Sequence, residues 1–340
     1  MSNTKKIGKQ TIRFDNPPVI VETASIVGPK EGKGPLGETF DRVVDNMYFG
    51  ENSFEKAERK FIEEAIKLVV EKQKIQASDI DFLLAGDLLN QMISANFAAS
   101  TLGIPFFGLY GACSTMMEGI ILGSMLIDGG YASKVIAGTS SHYCSAERQY
   151  RFPVEQGVQR PMTAQWTVTG AAAFLLSAEA QGVNVSHATV GKVVDAGVKD
   201  PHDMGAAMAP AAVDTIITHL QDTGRDVGYY DLIVTGDLGA VGRAIAADLG
   251  NQQGYDFSQL EDCGVLIFDS SQDTHAGGSG CACSAVVTAG HFMQQLRAGK
   301  YKRILIVGTG ALLSVTSSQQ GESIPAIAHG VVLENSKNPE

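Results

Sequence analysis

The chain carries the same pattern twice, and that repetition limits its fold more than any other feature. Gly111-Ala112-Cys113-Ser114-Thr115 returns in altered form as Cys281-Ala282-Cys283-Ser284-Ala285. Each copy follows a small-residue turn and opens an amphipathic run, as when a strand hands over to a helix N-terminus. Upstream, the apolar run Asp81 to Leu88 answers to Asp231 to Leu238, and each ends in a Gly-Asp turn. Downstream, Ala132 to Thr139 answers to Lys302 to Thr309, and Gly170 to Ser177 pairs in pattern with Ile327 to Glu334. A duplicated unit of strand, turn, helix and strand, with one insertion between blocks, explains all of these pairs. The reading is an α/β chain of two similar halves, residues 1–181 and 182–340.

Composition agrees with that plan. At 340 residues, 44% hydrophobic and 19% charged, the chain can bury a large core. A net charge of -11 argues against nucleic acid as a partner, because phosphate binding needs clustered Lys and Arg. The five cysteines are an odd count in a long chain without a signal-peptide pattern, and read as thiols of a reducing compartment. No apolar stretch approaches the roughly 20 residues that span a bilayer, so membrane contact has to come through partners.

Along the chain, a basic arm leads to the β-branched run Val19-Ile20-Val21, read as a strand. Gly28-Pro29, Gly32, Gly34-Pro35 and Gly37 read as a loop; the Lys-Ser/Thr pair of a phosphate cradle is missing. From Ser53 to Lys74 the residues Phe54, Ala57, Phe61, Ala65, Leu68 and Val69 share one face at helical spacing, with Ser53 as N-cap. The stretch His142 to Gln165 is too long for a plain connector and reads as a binding edge. A helix is expected from about Ala206 to Gln221, with Pro210 in its first turn.

A chain of two such halves, with Cys113 at the start of a central helix, resembles the thiolase and β-ketoacyl synthase superfamily. The resemblance implies a thiolase-like duplicated fold, two mixed five-stranded sheets in an αβαβα layered arrangement, with Cys113 at the position of the acyl acceptor. The runs Leu83 to Gln91, Gly111 to Thr115, Met204 to Ala212 and Gly277 to Thr288 resemble, within it, the stage V sporulation protein AD family. That family resemblance implies binding of dipicolinic acid (pyridine-2,6-dicarboxylate) or its calcium complex, in the apparatus that moves it into and out of bacterial spores. It further implies a forespore or spore location, peripheral association with the spore inner membrane, and membrane subunits of the stage V sporulation A channel as partners. A homodimer is the assembly that thiolase-like folds lead one to expect. No cofactor or protein-held metal is expected; calcium enters only with the ligand.

A condensing enzyme needs two polar partners, His with Asn or His with His, delivered to its cysteine from the second half. Those positions hold Gly236-Asp237 and Gly278-Ser279 here, which favours a binder over an enzyme. The alternative is an acyltransferase or thiolase pairing Cys113 with His329. Expected ligand-binding residues are Asp87, Cys113, Ser114, Thr115, His142, Arg148, Ser279 and His329, with Arg151 and Lys192 as further candidate donors to a second carboxylate. Cys113 and Ser114 can also be read as simply capping and packing a helix. Asp87, followed by Asn90 and Gln91, is read as a site residue that could accept from a protonated ligand or touch its calcium. Asp237 is read as a helix cap.

Overall fold

In the computed structural model, which describes residues 5–150, 160–178 and 181–335, the repeated pattern becomes two sheets of one internal order. The first contains β1 (Val19–Val27), β2 (Phe82–Gly86), β3 (Phe106–Gly108), β4 (Lys134–Ser141) and β5 (Gly170–Ser177), arranged β1-β5-β4-β2-β3. The second contains β6 (Val183–Thr189), β7 (Leu232–Thr235), β8 (Glu261–Asp262), β9 (Arg303–Ala311) and β10 (Ala326–Asn335), arranged β6-β10-β9-β7-β8. In each sheet the first two pairings are antiparallel and the last two parallel. One refinement to the expected pair of sheets emerges. Val19 and Ile20 of β1 pair antiparallel with Asn184 and Val183 of β6, so the two sheets meet edge to edge. Equivalent first strands thereby satisfy backbone groups that would otherwise be open edges.

The helices are α1 (Phe54–Gln73), α2 (Ile93–Leu102), α3 (Thr115–Asp128), α4 (Tyr143–Tyr150), α5 (Met204–Thr223), α6 (Gly239–Gln252) and α7 (Cys281–Val287). Helix α7 continues through a π-helical turn, Thr288–Phe292, into Met293–Arg297. α1 and α2 cover the outer face of the first sheet, α5 and α6 that of the second, and α3 lies between the sheets touching strands of both. Three large buried apolar cores lie between the sheets and under the outer helices of each half, and a small fourth one gathers Leu88, Cys113, Ala146 and Cys281. β5 is buried along its whole length, because α1 and α7 cover its two faces.

Local chemistry accounts for α1 at both ends. The Ser53 hydroxyl accepts the Lys56 N–H at 3.3 Å, and Lys74 leaves the helix in the left-handed region at φ 55. Ala57, Phe61, Ala65 and Val69 on its inner face are fully buried, and Phe61 alone is worth about 2 kcal/mol of apolar burial. Two local expectations are corrected. Pro29 opens a short helical turn, Pro29–Gly32, inside the glycine-rich stretch read as a loop. Helix α5 begins at Met204, so Pro210 lies in its second turn rather than its first, where it removes one interior hydrogen bond.

Candidate functional site

The two halves enclose a cavity of 570 Å³ that ends on Cys113. Its first-half wall comes from Leu88 and Asn90 after β2, Tyr110, Ala112 and Cys113 before α3, Ala146, Gln149 and Tyr150 of α4, and Thr167. The second half supplies Met204, Ser279, Gly280 and the lip Ala311 to Thr316 that follows β9.

Two backbone features aim the thiol. Ala112 stands at φ 50, a conformation costing a non-glycine residue about 1–2 kcal/mol, and it turns the chain sharply into the helical turn Ala112–Ser114. Opposite, Gly280 has φ 100, and a Cβ there would lie 2.8 Å from Ser141 Oγ and 3.0 Å from Thr167 Cγ2. Only glycine lets the start of α7 approach this closely.

The group that faces the thiol is Asp237. Its buried carboxylate accepts from Thr309 Oγ1 at 2.6 Å, Ser279 Oγ at 3.0 Å and the Gly280 N–H at 3.0 Å, and its charge acts on the Cys113 thiol. Burial, then the Asp237 carboxyl, then Cys281 push the Cys113 thiol well above its ordinary pKa. Burial also raises Asp237, against the pull of its hydrogen-bond donors. The reading of Asp237 as a helix cap is therefore corrected. The cap of α6 is Asp262, whose carboxylate takes the Leu238 and Gly239 N–H groups at 2.8 and 3.0 Å and the Thr235 hydroxyl at 2.7 Å. With that work done elsewhere, the Asp237 carboxylate is taken up by Thr309, Ser279 and Gly280 of its own half, next to the Cys113 wall.

Of the described residues expected to hold a ligand, Cys113 and Ser279 lie on the cavity wall, and the others do not. Asp87 is fully buried and spends both carboxylate oxygens on its own turn, accepting the Leu89 N–H at 2.8 Å and the Ala95 N–H at 2.7 Å. Ser114 and Thr115 donate their hydroxyls to Gly111 O and Ala112 O, both at 2.6 Å, and so close the turn instead of offering donors to a ligand. His142 is buried with Nε2 against Met47 O at 2.9 Å, beside the Phe54 ring. Arg148 pairs with Glu55 at 2.9 Å on the surface, and Lys192 with Asp214 at 2.8 Å. His329 accepts the Gly191 N–H through Nδ1 at 3.2 Å, and burial lowers its pKa to about 4. Arg151 lies outside the described residues.

Among the described residues the wall therefore holds no lysine, arginine or histidine. Its polar groups are the Asn90 and Gln149 amides, the Tyr110 and Tyr150 phenols, and the hydroxyls of Thr167, Ser279, Ser314 and Thr316. Gln149 and Tyr150 come from the stretch flagged as a binding edge, whereas nothing in the pattern of Ala311 to Thr316 marked it as a lip. A thiol that stays protonated opposite a carboxyl, in a cavity with neutral walls, can bind and orient a ligand.

A family model described as Stage V sporulation protein AD matches residues 8–334. The Bacillus subtilis strain 168 protein of that name is 50% identical over 331 residues, covering 97% of this chain and 98% of the relative. The chain belongs to the Stage V sporulation protein AD family. Among solved structures, a variant of Xanthomonas campestris OleA is 14% identical with a TM-score of 0.61, covering 96% of this chain and 100% of its own. Aquifex aeolicus 3-oxoacyl-[acyl-carrier-protein] synthase III is 12% identical with a TM-score of 0.57, covering 93% and 99%. These likenesses identify the fold as thiolase-like. The chain thus shares its fold with these two proteins and, by family, has a role in sporulation. No helix among its described residues is long and apolar enough to cross a membrane.

Proposed function

We propose that this chain is a non-catalytic binder of dipicolinic acid or its calcium complex, serving as a peripheral subunit of the apparatus that moves that molecule across the spore inner membrane. The observation that carries the reading is Asp237. By the fold resemblance it stands where a condensing enzyme presents a polar partner to its cysteine, and a carboxyl near the thiol favours the neutral thiol. The cavity volume falls within the roughly 300–1,000 Å³ usual for small-molecule sites. Leu88, Ala146, Leu313 and Val315 offer apolar surface to a pyridine ring, Tyr110 and Tyr150 add aromatic faces, and the Asn90 amide with the Ser314 and Thr316 hydroxyls offers neutral donors to carboxylates. Calcium, when bound to the ligand, offsets its two negative charges and suits a wall of this kind.

The same reading includes a homodimer paired along the first-sheet edge strand β3. Phe107 and Tyr110 at that edge, with Ile93 and Phe97 of α2, are between 40% and 51% exposed, more than isolated large apolar side chains need to be. The membrane subunits of the stage V sporulation A channel are its proposed partners.

Soaking crystals with dipicolinate and calcium tests the assignment. Ligand density between Cys113, Ser279 and Tyr110 is expected; a cavity that stays clear while ligand binds elsewhere removes it. Incubation with acyl-CoA donors, read by intact mass, tests the non-catalytic part. No adduct is expected, and a stable acyl group on Cys113 would restore the enzyme reading.

A further inference from the structure

Behind the first-half wall of the cavity lies a second polar cluster that binding at Cys113 does not use. Glu58 of α1 is 1% exposed, and its Oε2 accepts the Ser145 hydroxyl of α4 at 2.6 Å. Its Oε1 has no hydrogen-bond partner, nor does Ser140 Oγ of β4, which is fully buried beside it. Asp87, fully buried, adds a second carboxyl whose two oxygens are already held by backbone N–H groups. Neither acid has an ion pair among the described residues. Arg148 is engaged by Glu55 and Arg59 by Glu63, both toward the surface. His142 of the β4 end is turned to Met47, and Cys144 of α4 and Cys281 of α7 supply only thiols.

Ser140 Oγ can donate to an ionised Glu58 Oε1 or accept from a protonated one, and a buried site without a cation favours the second, while Asp87 has two N–H groups to stabilise a charge. Burial and the neighbouring Asp87 both favour that proton. Asp87 immediately precedes Leu88, and Ser145 immediately precedes Ala146; Leu88, Ala146, Gln149 and Tyr150 are cavity wall.

We propose that Glu58 is a proton-operated latch on helix α4, and through α4 on the wall of the cavity. With the proton in place, α4 lies over a neutral acid. When the proton leaves to solvent, two carboxylates share a dry site with no cation, a state costing several kcal/mol. Water relieves it once α4 lifts, and α4 is a two-turn helix that is mostly half-buried. The proposal goes beyond the ligand reading and does not depend on which molecule the cavity takes.

The molecule carries its own reporter. Tyr143, the first residue of α4, stacks on Trp166 with centroids 3.6 Å apart and planes 6° from parallel, and Trp166 is the sole tryptophan. Trp166 fluorescence is followed from pH 5 to 9.5 in the wild-type protein and in Glu58→Gln, whose amide stands in for the protonated acid. Glu31, pushed up to about 7 by burial, lies next in sequence to Lys30, whose ammonium is 4.1 Å from the Trp166 ring, so it contributes a change common to both proteins. The expected result is a further change in the wild type that Glu58→Gln lacks; superimposable profiles overturn the proposal. Amide exchange of residues 143–150 in the wild type alone, corrected for intrinsic rate, provides a second reading that needs no variant. At least a tenfold loss of protection on the alkaline side is expected, and unchanged protection overturns the latch.

Discussion

Replacing Asp237 by Asn removes the negative charge facing Cys113 while leaving most of its hydrogen bonds intact. The amide oxygen can still accept from the Gly280 N–H and the Ser279 hydroxyl, and the hydroxyl of Thr309 can turn to accept from the amide nitrogen. A unit charge about 4 Å from a second one, at an effective dielectric near 20, is worth about 4 kcal/mol, or roughly three pKa units. Burial raises Asp237 itself, which works against the full figure. A roughly hundredfold rise in Cys113 alkylation at neutral pH is the expected outcome, because only the thiolate reacts. The assay is iodoacetamide labelling followed by peptide-level mass spectrometry. Cys263, Cys281 and Cys283 are buried off the cavity wall and should stay slow in both proteins; Cys281, which Asp237 does not raise, is the internal control that the substitution leaves untouched. An unchanged Cys113 rate, with the fold intact by circular dichroism, would refute the idea that the carboxyl holds the thiol proton. Parallel acceleration of all four cysteines would mean that the variant had merely loosened the structure.

Glu31 is buried with its carboxylate accepting the Thr169 N–H at 2.9 Å, and its pKa is raised from 4.5 to about 7. A raised acid binds its proton more tightly when folded, so stability falls as pH climbs from about 4.5 through 7, here by roughly 3 kcal/mol. Urea midpoints at pH 5 and 7.5 should therefore separate less in Glu31→Gln than in the wild type; equal separations would contradict the assignment. Phe107→Glu, on the exposed edge strand, is expected to give monomers by light scattering at concentrations where the wild type is dimeric, and a dimer that persists would point to another surface. In Gly205→Ala the new Cβ would meet Leu238 O at 2.4 Å and Gly242 N at 3.0 Å, where α5 and α6 touch. A loss of about 1–3 kcal/mol in chemical denaturation is expected, and a neutral effect would show that the two helices can part without cost.

The duplicated strands were legible because each apolar run ends in the same dipeptide at the same place in its unit, and their order follows once the two units are matched. Helix α1 was legible down to its cap, since Ser53 and the apolar stripe are local signals. Pro210 was misplaced because the polar residues before it resemble a turn, while the helix starts at Met204. The site was harder to read. Gly86-Asp87 and Gly236-Asp237 are the same dipeptide at equivalent strand ends, yet Asp87 folds back on its own turn and Asp237 is held by Thr309, Ser279 and Gly280, which are remote in sequence. What separates them is remote in sequence. Asp262 caps α6 in place of Asp237, and Thr309 on the neighbouring strand orients the freed carboxyl. The acid preceding Cys263 was the available clue. Ser114 and Thr115 were read as donors on residue type alone, and their hydroxyls satisfy carbonyls three residues back, a local bond that competes with any ligand.

Isothermal calorimetry of dipicolinate, with and without calcium, against the wild type and Ala311→Trp is the most direct test of a thiolase-like cavity turned to binding. The account predicts saturable binding at one ligand per chain, lost when the indole of Ala311→Trp fills the space beside Cys113. No heat at millimolar ligand, or equal binding by both proteins, would contradict it.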